Sequence, residues 1–340
     1  MKNHIPAKGV QGIFGFEQLD RRGWTNWQIV LLTMLTSTVA SVAMYPILAH
    51  IPLPDGYPDN LYKALGIMFC YFISFYIFIT IALSRAMEAD LNQLSDYYPQ
   101  VEDYIRQMHV NPRYLVIACI CGVAAYFAIM IFADVYAISS DLSATMKNIF
   151  AQGVAGAFFW LALIPITGIF LGPMLVTIIN QPIVLTRFAA NVPIDLLSLD
   201  RYECISNSLL RFIFAFSVGT SLVFSIGVFV QSDKVESAFM AVTLVITASG
   251  LVASGAYFYP VLKLRTRIKE EKCRALLAIR LNIDANRNVN DVNADLLTRQ
   301  MFIESRWEWP IAGHVQKIAI FGFLPPISWA MAATIEQILY

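Results

Sequence analysis

The stretch LYKALGIMFCYFISFYIFITIAL, residues 61–83, decides the fold class of this chain. After Lys63 it continues from Ala64 to Leu83 without a charged side chain. A helix of about 20 apolar residues has the length needed to cross the hydrocarbon core of a bilayer. The stretch therefore predicts a membrane-spanning helix.

Six further stretches are long and apolar enough to be interpreted in the same way. Composition agrees, since 57% of the residues are hydrophobic and 14% are charged, against about 25% charged in an average soluble domain. We therefore predict an all-α integral membrane protein with seven transmembrane helices, six of them in residues 1–262 and the seventh in 314–340. The first span is too long for a signal peptide, so we expect the mature chain to begin at Met1. The predicted spans are 27–49, 61–83, 114–138, 149–179, 212–230, 237–262 and 318–339.

The basic residues between the spans predict the orientation. Four precede the first span, three lie between the second and third, and three lie between the fourth and fifth. Ten more lie between the sixth and seventh, with Lys317 beside them, whereas the opposite side has Lys63, Lys147 and Lys234. Lysine and arginine concentrate in cytoplasmic segments. The N-terminus is therefore predicted in the cytoplasm and the C-terminus outside.

The predicted fourth span is interrupted by Pro165, Gly168, Gly172 and Pro173. It is either one kinked helix or a re-entrant pair, and the pair is disfavoured because it would place the most basic segment outside. Each proline removes a backbone hydrogen bond and frees a carbonyl one turn earlier. Such carbonyls coordinate ions in the broken helices of transporters, although plain kinks are commoner. Pro325 has the same two interpretations in span seven.

Two acidic residues lie inside the predicted spans, each about one turn from the outer end. They are Asp134 in span three and Glu336 in span seven. Because charge inside a bilayer is costly and often functional, they are candidates for a cation or proton site. The simpler interpretation is that they are interfacial polar residues in contact with water.

Hydroxyl side chains recur at intervals of four in span one, at Thr33, Ser37 and Ser41. This spacing places them on one face of the helix. Small residues on one face let two helices approach closely and form hydrogen bonds across the contact. Because no charged residue accompanies the stripe, we interpret it as a packing surface rather than the lining of a hydrated pathway.

Residues 263–313 form the longest segment outside the predicted spans. The run KLRTRIKEEKCRALLAIR, at 263–280, is expected to continue the sixth span as a helix, and the Asn- and Asp-rich run that follows has turn-forming residues. Residues 296–307 are expected to return as a second helix, which Pro310 ends. We therefore predict a short cytoplasmic helical hairpin between helices six and seven.

The basic residues at the start of this hairpin are expected to contact the anionic headgroups of the lipid bilayer. A nucleic-acid partner is not expected, because two glutamates interrupt the basic run and the run adjoins a membrane span. The expected headgroup contacts are Lys263, Arg265, Arg267 and Lys269.

No residue pattern in the chain indicates an enzyme or a bound cofactor. The histidines, at positions 4, 50, 109 and 314, lie in different segments, so no metal-binding pair such as HxH occurs. Phosphate-binding and serine-nucleophile motifs are missing as well. We therefore predict no catalytic residue, no cofactor and no metal site.

The C-terminal stretch carries Trp309-Pro310, Leu324-Pro325, Ser328-Trp329 and Glu336. In these residues it resembles the last span of some uncharacterised multi-pass proteins of the bacterial inner membrane. The segment Ile194-Asp195-Leu196-Leu197, followed by Arg201, is similar to theirs too. The resemblance covers a minor part of the chain. It implies a bacterial inner-membrane location and no activity.

Two functions remain. The first is a non-enzymatic membrane component, such as a scaffold, assembly factor or sensor, that acts through helix contacts with a membrane-protein partner or with further copies of itself, and through the hairpin. The alternative is a small-solute or ion transporter or channel that uses the proline-broken fourth helix and Asp134.

Overall fold

The computed structural model of the chain describes residues 24–49, 51, 61–95, 97–108, 112–132, 142–227, 233–285 and 293–306. Within these ranges every regular element is helical and there is no strand. In chain order the elements are α1 (Asn26–Leu48), α2 (Leu61–Ser95), α3 (Val101–Met108), α4 (Pro112–Phe132), α5 (Leu142–Ala151), α6 (Gly153–Phe158), a π-helical turn (Phe159–Leu163), α7 (Ile164–Asn191), a 3-10 turn (Leu199–Tyr202), α8 (Glu203–Gly227), α9 (Asp233–Ala285) and α10 (Asn293–Ser305).

Several of these helices are long and apolar enough to cross a membrane. Three candidate spans are Leu31–Leu48, Leu65–Ser95 and Gly153–Asn191, and a fourth is added if the bent pair Val101–Met108 and Arg113–Ala128 is counted as one. The prediction of an all-α membrane protein is confirmed at this level. The count of seven and the orientation stay predictions, and the predicted seventh span lies outside the described residues.

The first helix begins with a reciprocal cap. The Thr25 hydroxyl accepts a hydrogen bond from Gln28 N at 3.4 Å, and Gln28 Oε1 accepts one from Thr25 N at 2.8 Å. Two backbone donors that the first turn leaves unpaired are satisfied in this way. The pattern Thr-x-x-Gln directly before an apolar run therefore sets the start of α1.

The residues of the predicted fourth span form one candidate span, Gly153–Asn191, which begins later and ends later than the predicted 149–179. Within it α6, the π-helical turn and α7 follow one another without a gap. Gly153 separates α5 from this span with a φ of 75°, in the left-handed region that favours glycine. The arrangement agrees with the single-helix interpretation of span four.

Two helices are longer than a bilayer requires. α2 has 35 residues and α9 has 53, so at 1.5 Å per residue they measure about 52 Å and about 80 Å. The hydrocarbon core of a bilayer is about 30 Å thick. Each helix is therefore long enough to combine a span with an extension beyond it.

Among the described residues, the helices pack around two large apolar cores and one small cluster of Ile79, Leu83 and Ala215. The apolar-half core joins α1, α2, α4, α5, the π-helical turn and α7, and the charged-end core joins α2, α3, α7, α8 and α9. The apolar-half core consists of Leu48, Ile51, Phe69, Phe72, Tyr76, Tyr126, Ile149, Phe159, Trp160, Leu163, Ile164 and Leu171. The charged-end core consists of Met87, Leu91, Leu94, Val101, Leu185, Phe188, Ala189, Val192, Tyr202, Cys204, Ile205, Leu209, Phe212, Tyr257, Val261, Leu264 and Ile268. The end of α2, the end of α7, the start of α8 and the middle of α9 therefore meet at one end of the bundle.

Two helices that contact each other lie where the hairpin is predicted, and the hairpin itself stays a prediction. α9 continues through the basic run to Ala285, and α10 lies close to the predicted return helix at 296–307. The two helices contact each other, with Ile279 and Ile303 buried at 7% and 4% exposure. The connection between them, at 286–292, lies outside the described residues.

Candidate functional site

The contact between α4 and α7 brings two helix backbones together. A Cβ atom added at Gly168 would lie 2.6 Å from Val123 Cα and 3.0 Å from Gly122 O, and one added at Gly122 would lie 2.7 Å from Gly172 N. Carbon atoms normally approach to about 3.5–4.0 Å. Glycine is therefore required here, and Ala118 opposite Gly172 completes a small-residue pair on each helix, spaced by four.

The contact between α4 and α7, called the seam below, gives two of the predicted breaks a different role. The sequence pattern predicts that Gly168 and Gly172 interrupt span four, but they form the surface on which α4 packs. The signal that identifies them is the spacing by four in GIFLG (168–172), matched by ACICG (118–122). Such spacing is typical of helices that pack closely in membranes.

Pro165 and Pro173 lie inside the long span without ending it. The helix widens directly before Pro165, where Ile164 N–H donates to Phe159 O, five residues earlier. At Pro173 the Thr177 hydroxyl donates to the proline carbonyl at 2.9 Å, so a side chain supplies a hydrogen bond near the proline. Both prolines are therefore accommodated by local changes within one continuous span.

The carbonyls that these prolines were expected to free belong to Leu161 and Ile169. The side chains of these residues are 44% and 40% exposed, on the outside of the bundle. Across the part of the chain that the structure describes, no group of three acidic, histidine or cysteine side chains could hold a metal ion. An ion site at the prolines has no side-chain support among these residues.

Polar side chains in the apolar-half core are paired with each other. The hydroxyls of Tyr76 and Tyr126 lie 2.7 Å apart, and both residues are buried. Trp160 Nε1–H donates to Gln152 Oε1 at 2.9 Å. Unpaired polar groups are expensive in an apolar interior, so these pairs fix how α2, α4 and the π-helical turn fit together.

The hydroxyl stripe of α1 lies against α2. Ser37 Oγ donates to Cys70 O at 2.9 Å, and Ser74 Oγ donates to Thr33 O at 2.9 Å. Thr33, Ser37 and Ser41 are all buried at 8% exposure or less. The stripe therefore packs two helices together, as the sequence indicates.

A buried glutamine links α7 to α9. Gln181 Oε1 accepts a hydrogen bond from Tyr257 OH at 2.8 Å, and the Tyr257 ring stacks on Phe212 with 4.3 Å between centroids. Gln181 is 3% exposed, and its Nε2 has no hydrogen-bond partner among the described residues. The Gln181 Nε2 group can therefore still donate a hydrogen bond to a ligand or a water molecule.

Charged residues tie the charged end of the bundle together. Arg211 on α8 forms a two-pronged ion pair with Asp90 on α2, at 2.6 Å and 3.2 Å. Beside this pair, the Cys204 thiol is buried, and desolvation raises its pKa to about 12. This pair joins the end of α2 to the start of α8.

The segment Ile194–Arg201, noted in the sequence for its resemblance, forms a compact connection after α7. Tyr202 OH donates to Pro193 O at 2.6 Å and accepts from Asp195 N at 3.0 Å. Tyr98 OH lies 2.9 Å from the same hydroxyl, and burial raises the pKa of Tyr202 above its ordinary value. Arg201 stacks over the Tyr97 ring at 3.8 Å and reaches Asp195 at 3.5 Å. The loop after α2 and the loop after α7 are therefore held together.

Arg267 anchors α9 to the end of α7. Its Nη1 donates to Ala189 O at 2.9 Å and to Val192 O at 2.6 Å. These carbonyls lie at the C-terminus of a helix, where a cation is favoured by the unpaired acceptors and the helix dipole. Between α9 and α10, Lys272 Nζ donates to the carbonyls of Glu304 and Arg306 at 3.0 Å each, in the same manner at the C-terminus of α10.

The predicted site residues are distributed as follows. Pro165 and Pro173 are in the long span, whereas Asp134, Glu336 and Pro325 lie outside the described residues. Of the predicted headgroup contacts, Lys263 and Lys269 are exposed, Arg265 is half-buried, and Arg267 has the two carbonyl partners given above. The headgroup contacts stay a prediction, although the Arg267 guanidinium donates to protein. Sequence reasoning missed the anchoring role of Arg267, because no local pattern identifies a carbonyl partner 75 residues away.

No protein-family model matches the chain, and no curated protein or solved structure matches it either.

Proposed function

We propose that this chain is a non-enzymatic component of a bacterial inner membrane, which works as a scaffold, assembly factor or sensor subunit. The observation that supports this most is α9, one helix of 53 residues that joins the predicted sixth span to the hairpin. Arg267 fixes this helix to the end of α7 within the bundle. A scaffold needs such a surface held rigidly beside the membrane.

The proposed orientation has seven spans, with the N-terminus in the cytoplasm. The charged-end core lies among residues that the charge distribution assigns to the cytoplasm, such as Arg201, Arg211 and Arg267. A reporter fused after Tyr340 tests this orientation. Activity of a reporter that works outside the cytoplasm supports seven spans, and activity of a cytoplasmic reporter contradicts them.

The functional test compares two variants with the same charge change. Arg267→Met removes the anchor of α9, whereas Lys263→Met removes an exposed charge four residues earlier. Each is purified in mild detergent at native expression level, and co-purifying proteins are quantified by mass spectrometry. The proposal expects a stoichiometric membrane-protein or self-association partner with the wild type and Lys263→Met, and loss of that partner with Arg267→Met. Wild-type protein that emerges without any stoichiometric partner contradicts it.

A small-solute or ion transporter is the alternative. It is favoured by one observation, the buried Gln181 amide on the proline-bearing span, whose Nε2 has no partner in the described ranges. Solute flux into proteoliposomes tests this function, with Asp134→Asn as the decisive variant. If the wild type supports flux and Asp134→Asn abolishes it, the transporter function replaces the scaffold proposal. If the flux is unchanged, Asp134 has no part in the transporter function.

A further inference from the structure

The outward side of α9 beyond the predicted span combines apolar and basic residues. Leu277 and Leu281, spaced by four on one face of the helix, are 63% and 61% exposed. Arg274 and Arg280 beside them have side chains 73% and 67% exposed, and Lys269 is exposed as well. We call these five residues the basic face, in which three basic side chains outnumber the exposed carboxylate of Glu270 on the same side of the helix. Exposed leucines on a charged helix are typical of an interaction surface.

Lipid does not reach the apolar centre of this surface, Leu277 and Leu281. If the span ends at Leu262, as predicted, then Leu277 lies 15 residues farther along the same continuous helix. At 1.5 Å per residue this is about 22 Å from the membrane boundary. Headgroup attraction decays within about 10 Å in salt. The occupant of the basic face is therefore a protein.

The same chain exposes a surface of opposite charge at the same end of the bundle. Glu102 and Asp103 on α3, Asp200 in the 3-10 turn and Glu203 at the start of α8 are all exposed. Tyr97 and Leu197 lie among them in the chain, at 55% and 53% exposure. We call these six residues the acidic face. Its four carboxylates outnumber the two basic side chains beside them, Arg106 on α3 and Arg201 in the 3-10 turn.

The acidic face is one surface because two contacts join its parts. Arg201 stacks on Tyr97 at 3.8 Å, and Tyr98 OH lies 2.9 Å from Tyr202 OH. These contacts hold the loop before α3 against the 3-10 turn that precedes α8. The four carboxylates are thereby carried by a single packed unit.

The two faces do not satisfy each other within one copy. Arg274 pairs with Glu271 at 3.0 Å and Arg280 lies 3.9 Å from Glu304, both inside the hairpin, and the carboxylates of the acidic face stay exposed. Such exposed pairs contribute little, about 0–1 kcal/mol, so the arginines can exchange partners readily. Because the two faces are complementary and both uncovered, they can meet between copies.

The bilayer brings copies together in the required way. All copies of a membrane protein have the same orientation, so the two faces always project on the same side. α2 extends 12 residues past the predicted end of its span, or about 18 Å, before α3 follows. The basic face begins seven residues past its own span and covers the same height.

We propose that the basic face of one copy docks on the acidic face of a second copy of this chain. This inference rests on the proposed scaffold function and specifies its partner. Leu277 and Leu281 supply the apolar centre of the contact, opposite Tyr97 and Leu197. The charges around them set the register and suppress other partners.

The test uses two sets of charge reversals in two differently labelled copies. The hairpin variant carries Arg274→Glu and Arg280→Glu, and the acidic-face variant carries Asp103→Lys and Asp200→Lys. Association is measured by energy transfer between labels in nanodiscs and by particle mass in detergent. Lys147→Glu, an exposed charge change on α5, serves as the control. Elution profile and unfolding temperature show that each variant is folded.

We expect wild-type copies and Lys147→Glu copies to associate equally. Each reversed variant alone should associate at least about tenfold more weakly, because it places like charges opposite each other. A mixture of the two variants should recover wild-type association, since it pairs an unchanged hairpin with an unchanged acidic face in one direction and an acidic hairpin with a basic surface in the other. The recovery is the decisive result, because global misfolding of either variant cannot produce it.

Three results would overturn the inference: a wild-type protein that stays monomeric, variants that associate like the wild type, or a mixture that does not recover. If the chain is monomeric but keeps a stoichiometric partner of another kind, the scaffold function survives and the inference fails. If neither self-association nor another partner is found, both fail together.

Discussion

The seam between α4 and α7 leaves no room for a methyl group at Gly168, so a substitution there should destabilise the protein. Replacing Gly168 by alanine places a Cβ atom 2.6 Å from Val123 Cα and 2.8 Å from Val123 N. Both are backbone atoms, so no flexible side chain can move out of the way. To restore a contact of about 3.5 Å, the two helices must separate by about 1 Å. That separation loosens every other contact along the seam.

The cost follows from two opposing effects. Overpacking of this kind destabilises a protein by about 1–3 kcal/mol. Alanine also favours helix by about 1 kcal/mol over glycine, which offsets part of the loss. Gly255→Ala isolates the second effect, because Gly255 is exposed on α9 and a Cβ added there meets nothing within 4 Å. Gly168→Ala should therefore be about 1–3 kcal/mol less stable than Gly255→Ala.

The free energy of unfolding of both variants can be measured by titration with a denaturing detergent, with helix content followed by circular dichroism. Purified protein in mixed micelles is used for each. If Gly168→Ala is as stable as Gly255→Ala, the backbones of α4 and α7 are not in contact and the reasoning about this seam is wrong.

Three further predictions concern buried polar groups and thiols. Tyr126→Phe leaves the Tyr76 hydroxyl without its partner at 2.7 Å and should lower the free energy of unfolding by about 1 kcal/mol in the same titration; no loss would show that the pair is not formed. Asp90→Asn removes one charge of the ion pair between α2 and α8 and should destabilise by about 1 kcal/mol or more, because the other partner is half-buried. Lys147→Gln, at an exposed position on α5, is the control and should change the stability little. N-ethylmaleimide at pH 8 should label the exposed Cys273 and leave Cys204 unmodified. Burial raises the pKa of Cys204 to about 12, so its thiol stays protonated until the pH approaches that value or the protein unfolds. Equal labelling of both cysteines in peptide mass spectra would contradict the burial of Cys204.

Length and hydropathy predicted the helical membrane class, because an uncharged stretch long enough to cross a bilayer as a helix rarely adopts another structure. Spacing also predicted that Thr33, Ser37 and Ser41 face a neighbouring helix, since helix geometry alone determines a shared face. In the same way, the basic run after span six was expected to be helical, and α9 includes it. These are properties of one segment at a time.

The features that sequence reasoning missed depend on two segments at once. Gly168 resembles a helix breaker when α4 is not considered, and the anchoring role of Arg267 cannot be recognised without the end of α7. Neither partner is close in sequence. Whether a basic side chain has a carbonyl partner elsewhere in the chain depends on tertiary packing. Composition and periodicity carry no information about that packing.

The anchoring of α9 has a mechanical consequence. From Arg267 to Ala285 the helix extends about 27 Å, and from Arg267 back to Asp233 about 51 Å. Tyr257, Val261, Leu264 and Ile268 are buried in the charged-end core as well, so the middle of the helix is fixed to α7 and α8 over several turns. The arm beyond Arg267 therefore follows the bundle as a rigid extension. A tilt of about 5° in the fixed segment would displace Ala285 by about 2 Å, so a small rearrangement inside the bundle would be enlarged at the end of α9.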